Sequence, residues 1–210
     1  MINYLDCKND IDDKKLQEIA DIIKQGGIVV FPTETVYGIG TNGLDSKAIT
    51  KLYEVKQRPL NKPISLLVSS LEMVRSVTEN ISDMEYKLME AFFPGPLTII
   101  LKKNNCVPNN LTNNTDTVGI RMPDNIIARK LIEYANVPIA TPSANISGKP
   151  SGTNIQDIIK DFGDKVDYYI NGGPSKLGIG STIVKIDGDK PIILRHGSIS
   201  EEEIYKVIKN

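Results

Sequence analysis

Residues 28–31, Ile-Val-Val-Phe, are apolar at every position and stop abruptly at Pro32. A run without polar alternation predicts a strand buried on both faces, and β-branched and aromatic side chains favour that conformation. Pro32 has no amide hydrogen with which to continue a ladder, and Thr33, Glu34, Thr35 and Tyr37 follow before Gly38. Polar groups leaving a buried strand together read either as a ligand-binding loop or as an ordinary strand-end turn. The pattern recurs downstream. Residues 138–140 lead into Thr141-Pro142-Ser143-Ala144-Asn145, and residues 168–170 lead through Asn171-Gly172-Gly173-Pro174 to Gly178-Ile179-Gly180-Ser181-Thr182.

Helical periodicity fills the intervals. Residues 11–27 predict a helix capped by Asp12, with Leu16, Ile19, Ala20 and Ile23 on one face and Gly26-Gly27 ending it. Residues 46–56 predict a second, with Ile49, Leu52 and Tyr53 inward, and Pro59 forces the chain out of helical angles soon after. Ser82 and Glu85 have the spacing of a capping box, and so do Ser200 and Glu203. Helices are also expected over 124–135 and 154–162, and strands over 64–68, 97–101, 118–121, 182–186 and 191–195. Asp187-Gly188-Asp189-Lys190 joins the last two as a hairpin. The Asn-rich segment 103–117 reads as a long surface loop. No repeat or linker divides the 210 residues, so the expected architecture is one α/β (α+β) domain, residues 1–210, around a twisted mixed sheet.

Composition narrows the function. Twenty-five Lys and Arg against 26 Asp and Glu leave a net charge of −1, which argues against a polycation drawn as a whole to nucleic acid or membrane. No membrane-length apolar stretch and no leader-like N-terminus occur, so a cytoplasmic protein is expected. Cys7 and Cys106 lack metal or redox spacing and read as reduced, non-functional thiols. The single histidine, His196, leaves a zinc site or a Ser/His/Asp triad poorly supplied.

The five arginines carry more information. Arg75 and Arg129 fall within helices and are expected to face solvent. Arg58, Arg121 and Arg195 fall where regular elements meet loops, with Lys56, Lys62 and Lys149 close by in sequence or motif. If those loops converge, they form a cationic basin lined by Thr35, Thr117, Thr141, Ser143, Ser151 and Ser181, suited to a polyphosphate and a small acid. The bland alternative is three separate surface salt bridges. Two nucleotide motifs fail: Gly38-Ile39-Gly40-Thr41-Asn42-Gly43 neither follows its strand directly nor opens a helix, and Gly178-Ile179-Gly180-Ser181-Thr182 lacks the P-loop lysine.

Phe31-Pro32-Thr33-Glu34-Thr35-Val36-Tyr37-Gly38, Lys56-Gln57-Arg58-Pro59, Val118-Gly119-Ile120-Arg121-Met122-Pro123, Thr141-Pro142-Ser143-Ala144-Asn145, Gly178-Ile179-Gly180-Ser181-Thr182 and Ile192-Ile193-Leu194-Arg195 together resemble the YrdC family of threonylcarbamoyl-AMP synthases. The match runs in order along nearly the whole chain. The resemblance implies a twisted mixed sheet with a concave, positively charged cavity. It also implies condensation of L-threonine, bicarbonate or CO2, and ATP to threonylcarbamoyl-adenylate and pyrophosphate, with the product passing to a threonylcarbamoyl transferase that modifies tRNA. By the same resemblance Thr35, Arg121, Thr141 and Ser181 look like a threonine pocket, together with Leu67 where many relatives have histidine. Arg58, Lys62, Thr117, Ser143, Ser151 and Arg195 look like ATP contacts. Lys56 and Asn145 complete a Lys-x-Arg and Ser-x-Asn signature and by the resemblance orient phosphates and a magnesium ion that arrives with ATP, so that Lys56, Arg58, Ser143 and Asn145 look catalytic, with no dedicated metal site.

Two further readings compete: a module binding double-stranded RNA or tRNA without turnover, and a relative making a carbamoyl-adenylate from carbamoyl phosphate. The absence of aromatics interleaved with basic stretches weighs against the first. His196 stands where relatives often have proline and reads as a tolerated substitution. Longer family members continue beyond the equivalent of Asn210, so a more open site is expected here. The expected outcome is weaker ATP retention than in long members, read from dissociation constants measured side by side.

Overall fold

In a computed structural model describing residues 2–209, the strands in chain order are β1 (Tyr4–Asp6), β2 (Val29–Phe31), β3 (Gly38–Asn42), β4 (Leu66–Leu67) and β5 (Leu97–Lys102). They continue as β6 (Thr117–Arg121), β7 (Ile139–Ala140), β8 (Tyr168–Asn171), β9 (Thr182–Asp187) and β10 (Lys190–Arg195). The helices are α1 (Asp13–Lys24), α2 (Ser46–Lys56), α3 (Leu71–Val77), α4 (Asp83–Phe92), α5 (Ile126–Ala135), α6 (Ile155–Phe162) and α7 (Glu201–Lys209). All ten strands join one mixed sheet in the order β1-β8-β2-β3-β7-β4-β6-β5-β9-β10.

The unalternating run at residues 28–31 sits inside that sheet, and each of its four side chains is fully buried. Strand geometry sends neighbours to opposite faces. Val29 and Phe31 pack with Leu16, Ile19 and Ile23 of α1 and with Leu131 and Ile132 of α5. Ile28 and Val30 belong to the other cluster, with Ile49 and Leu52 of α2, Leu88 and Met89 of α4, and Ile158 and Phe162 of α6. Helices on both sides are therefore what an apolar strand of this kind requires.

The helix ends follow their capping residues. Asp12 accepts from the Lys15 amide, and the Ser82 and Glu85 capping box is complete in both directions. Ser200 and Glu203 exchange the same pair of bonds before α7. The β9–β10 hairpin forms with an antiparallel register.

Three elements carry weak sequence signals: β1, α3 and β3. The Gly38-Ile39-Gly40 letters that mimic a dinucleotide fingerprint are in fact strand β3, paired antiparallel with β2. A Cβ at Gly38 would lie 2.6 Å from Thr141 Cγ2, and one at Gly40 would lie 2.6 Å from Ile139 Cγ2. These glycines allow close approach of the neighbouring strand rather than phosphate binding. Segment 103–116 is a loop as expected, yet Val107, Leu111 and Thr112 within it are buried, and the Leu111 carbonyl accepts from the Ile64 amide.

Tyr37 ties two of the loops at the strand ends together. Its hydroxyl donates to the Gly173 carbonyl at 2.6 Å and accepts from the Gly172 amide at 3.2 Å. Tyr37→Phe is expected to lower stability by about 1–2 kcal/mol. Urea unfolding of both forms reads this, and an unchanged midpoint would mean that the bonds contribute nothing in solution.

Candidate active site

The loops after β2, β7 and β8 converge with the chain around residues 58–65 and with the last residues of β6 and β10 on a cavity of about 180 Å³. Arg58, Arg121 and Arg195 all line it. Thr35, Leu67, Thr141, Ser143, Ser151 and Ser181, each expected in the site from sequence, line it as well. The repeated strand, proline and hydroxyl pattern thus marks one place in the fold.

Each guanidinium is held by the main chain. Arg58 donates through Nε to the Lys62 carbonyl at 3.0 Å and through Nη2 to the Pro63 carbonyl at 2.8 Å. Arg195 donates through Nε and Nη2 to the Ser181 carbonyl, at 3.0 and 2.8 Å, and through Nη2 to Ser181 Oγ at 3.0 Å. Arg121 donates through Nε to the Gly95 carbonyl at 3.3 Å, while its Nη2 lies 2.8 Å from Glu34 Oε1. Among the described residues, that is the only ion pair made by any of the three. Among the described residues no aspartate or glutamate lines the cavity itself, so its wall carries excess positive charge. Partial burial lowers the Arg195 pKa first, and the charges of Arg121 and Arg58 lower it further. Like charges held this close favour an anionic ligand.

The hydroxyls are oriented too. Thr33 Oγ1 donates to the Val36 carbonyl at 2.6 Å, so in its 2.9 Å contact with Thr35 Oγ1 the proton comes from Thr35. Thr141 Oγ1 donates to the Ile139 carbonyl at 3.0 Å, and Ser143 Oγ donates to Asn145 Oδ1 at 2.5 Å. With those protons spent on the protein, Thr35, Thr141 and Ser143 offer lone pairs to a ligand. Arginine donors and hydroxyl acceptors therefore face the same small space, which matches a ligand carrying both an acid and N–H or O–H donors.

Lys56 and Asn145 stand behind this wall. Lys56, only 1% exposed, donates through Nζ to the carbonyls of Ser143 and Asn145, both at 2.6 Å, and lies 3.4 Å from Asn145 Oδ1. Its three protons are committed to these oxygens, and it reaches the cavity only through Ser143. Desolvation, and secondarily the Arg58 charge, push its pKa down to about 7, while the oxygen acceptors work the other way by holding the ammonium form.

Other expected residues are placed differently. Lys62 is exposed and contributes its backbone carbonyl to Arg58, and Thr117 opens β6 opposite Lys102, outside the cavity lining. Lys149 pairs with Asp161 at the surface. Arg75 is exposed as expected, whereas Arg129 is half-buried with an unpartnered Nε and lines a separate open cleft of about 740 Å³. Thr98, hydrogen-bonded to Ser181 at 2.7 Å, is a site residue that sequence patterning did not single out, and Glu34, named there only as part of the polar loop after β2, has Arg121 as its partner. Thr98 is the second residue of β5 and Glu34 lies in a loop, and only contacts across the fold reveal their roles. Among the described residues, no group of three His, Cys, Asp or Glu side chains could hold a metal ion, and both cysteines are free thiols.

A family model described as telomere recombination, Sua5/YciO/YrdC, matches residues 21–197. A Pyrococcus abyssi protein named threonylcarbamoyl-AMP synthase is 41% identical, over 99% of this chain and 61% of its own length. A Bacillus subtilis protein of the same name is 37% identical, over 94% of this chain and 57% of its own length. The chain therefore spans less than two thirds of both relatives. A crystal structure of P. abyssi Sua5 complexed with L-threonine superposes with a TM-score of 0.94 at 41% identity, covering 99% of this chain and 61% of that one. Escherichia coli YciO superposes with a TM-score of 0.85 at 25% identity, covering 97% of this chain and 98% of that one.

Lys56 supplies a test of the wall behind the cavity. Its folded pKa lies below the ordinary lysine value of 10.5, so unfolding takes up a proton between about pH 7 and pH 10 and the stability due to this group rises with pH across that window. Lys56→Met strands the oxygen acceptors, with an expected cost of about 3 kcal/mol, and removes that pH dependence. Urea unfolding at about pH 7 and about pH 10 should show the gap between wild type and variant widening at the higher pH; a constant gap would place the lowered pKa elsewhere.

Proposed function

The chain belongs to the Sua5/YciO/YrdC family, and from that premise we propose that it acts as a threonylcarbamoyl-AMP synthase, using L-threonine, bicarbonate or CO2, and ATP. The observation that carries the reading is the pairing of three main-chain-clamped arginines with three acceptor hydroxyls around one small cavity.

Threonine is itself an acid, an amine and a hydroxyl. In this reading Arg121 takes its carboxylate, while Thr35 and Thr141 accept from its N–H and O–H groups. Leu67 and Ser181 close the pocket. Arg58 and Arg195 take the phosphates with Ser143 and Ser151. At about 180 Å³ the cavity is below the about 300–1,000 Å³ usual for larger ligands, so in this reading the nucleoside lies across the mouth, beside exposed Lys62. Lys56 and Asn145 fix the Ser143 loop that lines the phosphate end.

The chemistry asks for no protein nucleophile. The threonine amine adds to CO2 and loses a proton, giving a carbamate. A carbamate oxygen then attacks the α-phosphorus of ATP, the bond to the β-phosphate oxygen breaks, and pyrophosphate leaves. Rigid donors already in place stabilise the charge that shifts onto the phosphates and hold the two reactants in line. Magnesium would accompany the triphosphate, held mainly by phosphate oxygens. The adenylate would pass to a transferase that modifies tRNA.

Pyrophosphate release by the purified protein tests this, with threonine and bicarbonate each omitted in turn. Release is expected only when both are present. Arg121→Ala should raise the KM for threonine about 100-fold, and Arg58→Ala or Ser143→Ala should impair use of ATP. Release that ignores threonine would overturn the reading, and a salt-steep RNA affinity without ATP consumption would favour an RNA-binding module instead.

A further inference from the structure

Glu34 stands behind the cavity wall, in the lining of the separate cleft of about 740 Å³, and divides the cavity by charge through Arg121. It is 6% exposed, its backbone carbonyl accepts from the Leu177 amide at 2.9 Å, and the hydrogen-bonded pair Thr33 and Thr35 flanks it. Its carboxylate lies 2.8 Å from Arg121 Nη2 as an ion pair, and among the described residues neither of its oxygens accepts a hydrogen bond. Among the described residues, Arg58 and Arg195 have only carbonyl and hydroxyl partners. One end of the cavity therefore holds two uncompensated positive charges, and the other holds a nearly neutral pair.

From this asymmetry we infer that Glu34 is a positioning and specificity residue that makes the Arg121 end select a zwitterion over a simple anion, leaving the Arg58 and Arg195 end to polyanions. The inference rests on the amino-acid reading above. A lone carboxylate approaching Arg121 gains the guanidinium but meets the field of Glu34, so its net attraction is small. A zwitterion brings its own ammonium, which is favoured by Glu34 and by the acceptor hydroxyls of Thr35 and Thr141. A phosphate dianion meets the largest penalty at this end and none beside Arg58 and Arg195. The Gly95 carbonyl takes Nε, and Nη2 faces Glu34 as an ion pair without an aligned hydrogen bond, which leaves the Nη1 edge of Arg121 to meet a carboxylate. Two substrates of different charge are thus kept to their own ends without a wall between them.

Calorimetric titration of the full chain tests this with four probes: L-threonine, 3-hydroxybutyrate, which is threonine without its amine, inorganic phosphate, and ATP. The wild type is expected to bind threonine at least about tenfold more tightly than 3-hydroxybutyrate, and phosphate should compete with ATP but not with threonine. Glu34→Gln keeps the shape and removes the charge. The threonine preference should then fall about tenfold, and phosphate should begin to compete with threonine. Glu34→Asp keeps the charge and should keep the preference, an outcome a purely structural role would not produce. Equal wild-type affinity for threonine and 3-hydroxybutyrate would overturn the inference without recourse to any variant, and so would an unchanged preference in Glu34→Gln. ATP binding accompanied by no binding of threonine or 3-hydroxybutyrate would overturn the functional reading as well.

Discussion

Three guanidiniums sharing one small cavity repel each other, and the site depends on how that repulsion is contained. The solution is a frame of main-chain carbonyls. Lys62 and Pro63 hold Arg58, Ser181 holds Arg195, and Gly95 holds Arg121. A carbonyl dipole stabilises a cation while leaving its charge unneutralised, so the arginines stay fixed and still attract an anion. Had each been paired with a carboxylate, the site would be quieter and far less attractive to phosphate. Among the described residues Arg121 alone has such a partner, and the Arg121 end is where the ligand's own positive charge would be accommodated.

The same use of the main chain recurs around Ser143. Lys56 spends its donors on the carbonyls of Ser143 and Asn145, and Asn145 in turn accepts the Ser143 proton and donates through Nδ2 to Ile146 and Lys149 carbonyls. A buried lysine with no carboxylate nearby is costly, as its lowered pKa records, and that cost secures one loop in one conformation. The hydroxyl then faces the cavity in a single hydrogen-bonding sense. Preorganisation of this kind suits a reaction driven by alignment and charge stabilisation, in which no side chain forms a bond to the substrate.

The sheet explains why these distant segments meet. β2, β7 and β6 are close neighbours in the strand order although far apart in sequence, and β9 and β10 extend the same sheet beyond β5. Residues leaving the strand ends are therefore neighbours wherever they stand in the chain. Packing on both faces keeps those ends still: α1 and α5 cover one side of β2, while α2 and α6 cover the other. Tyr37 and the Thr33 and Thr35 pair then brace the loops locally.

Much was legible in the chain because it depends on local chemistry. Unbroken apolar runs such as residues 28–31 must be covered twice, Asp12 and Ser82 must start helices, and arginines placed at the ends of β6 and β10 must meet loops rather than core. The ordered motifs also led to the family. β3 was harder to see, because its glycines look like a turn until the Thr141 and Ile139 side chains are placed against them. The motif suggests Lys56 as a group for phosphate, whereas its donors face the Ser143 and Asn145 oxygens, and Thr117 and Lys62 stand outside the cavity lining. Glu34 gave no sign of its partner. Residue types, element ends and the hydroxyl pattern were thus set by the sequence alone, since each follows from neighbours a few positions away. Which donors remain free, which hydroxyls accept and where the one balancing charge lies were decided only by tertiary structure, because hydrogen-bond direction and charge compensation depend on groups that the chain brings together from far apart.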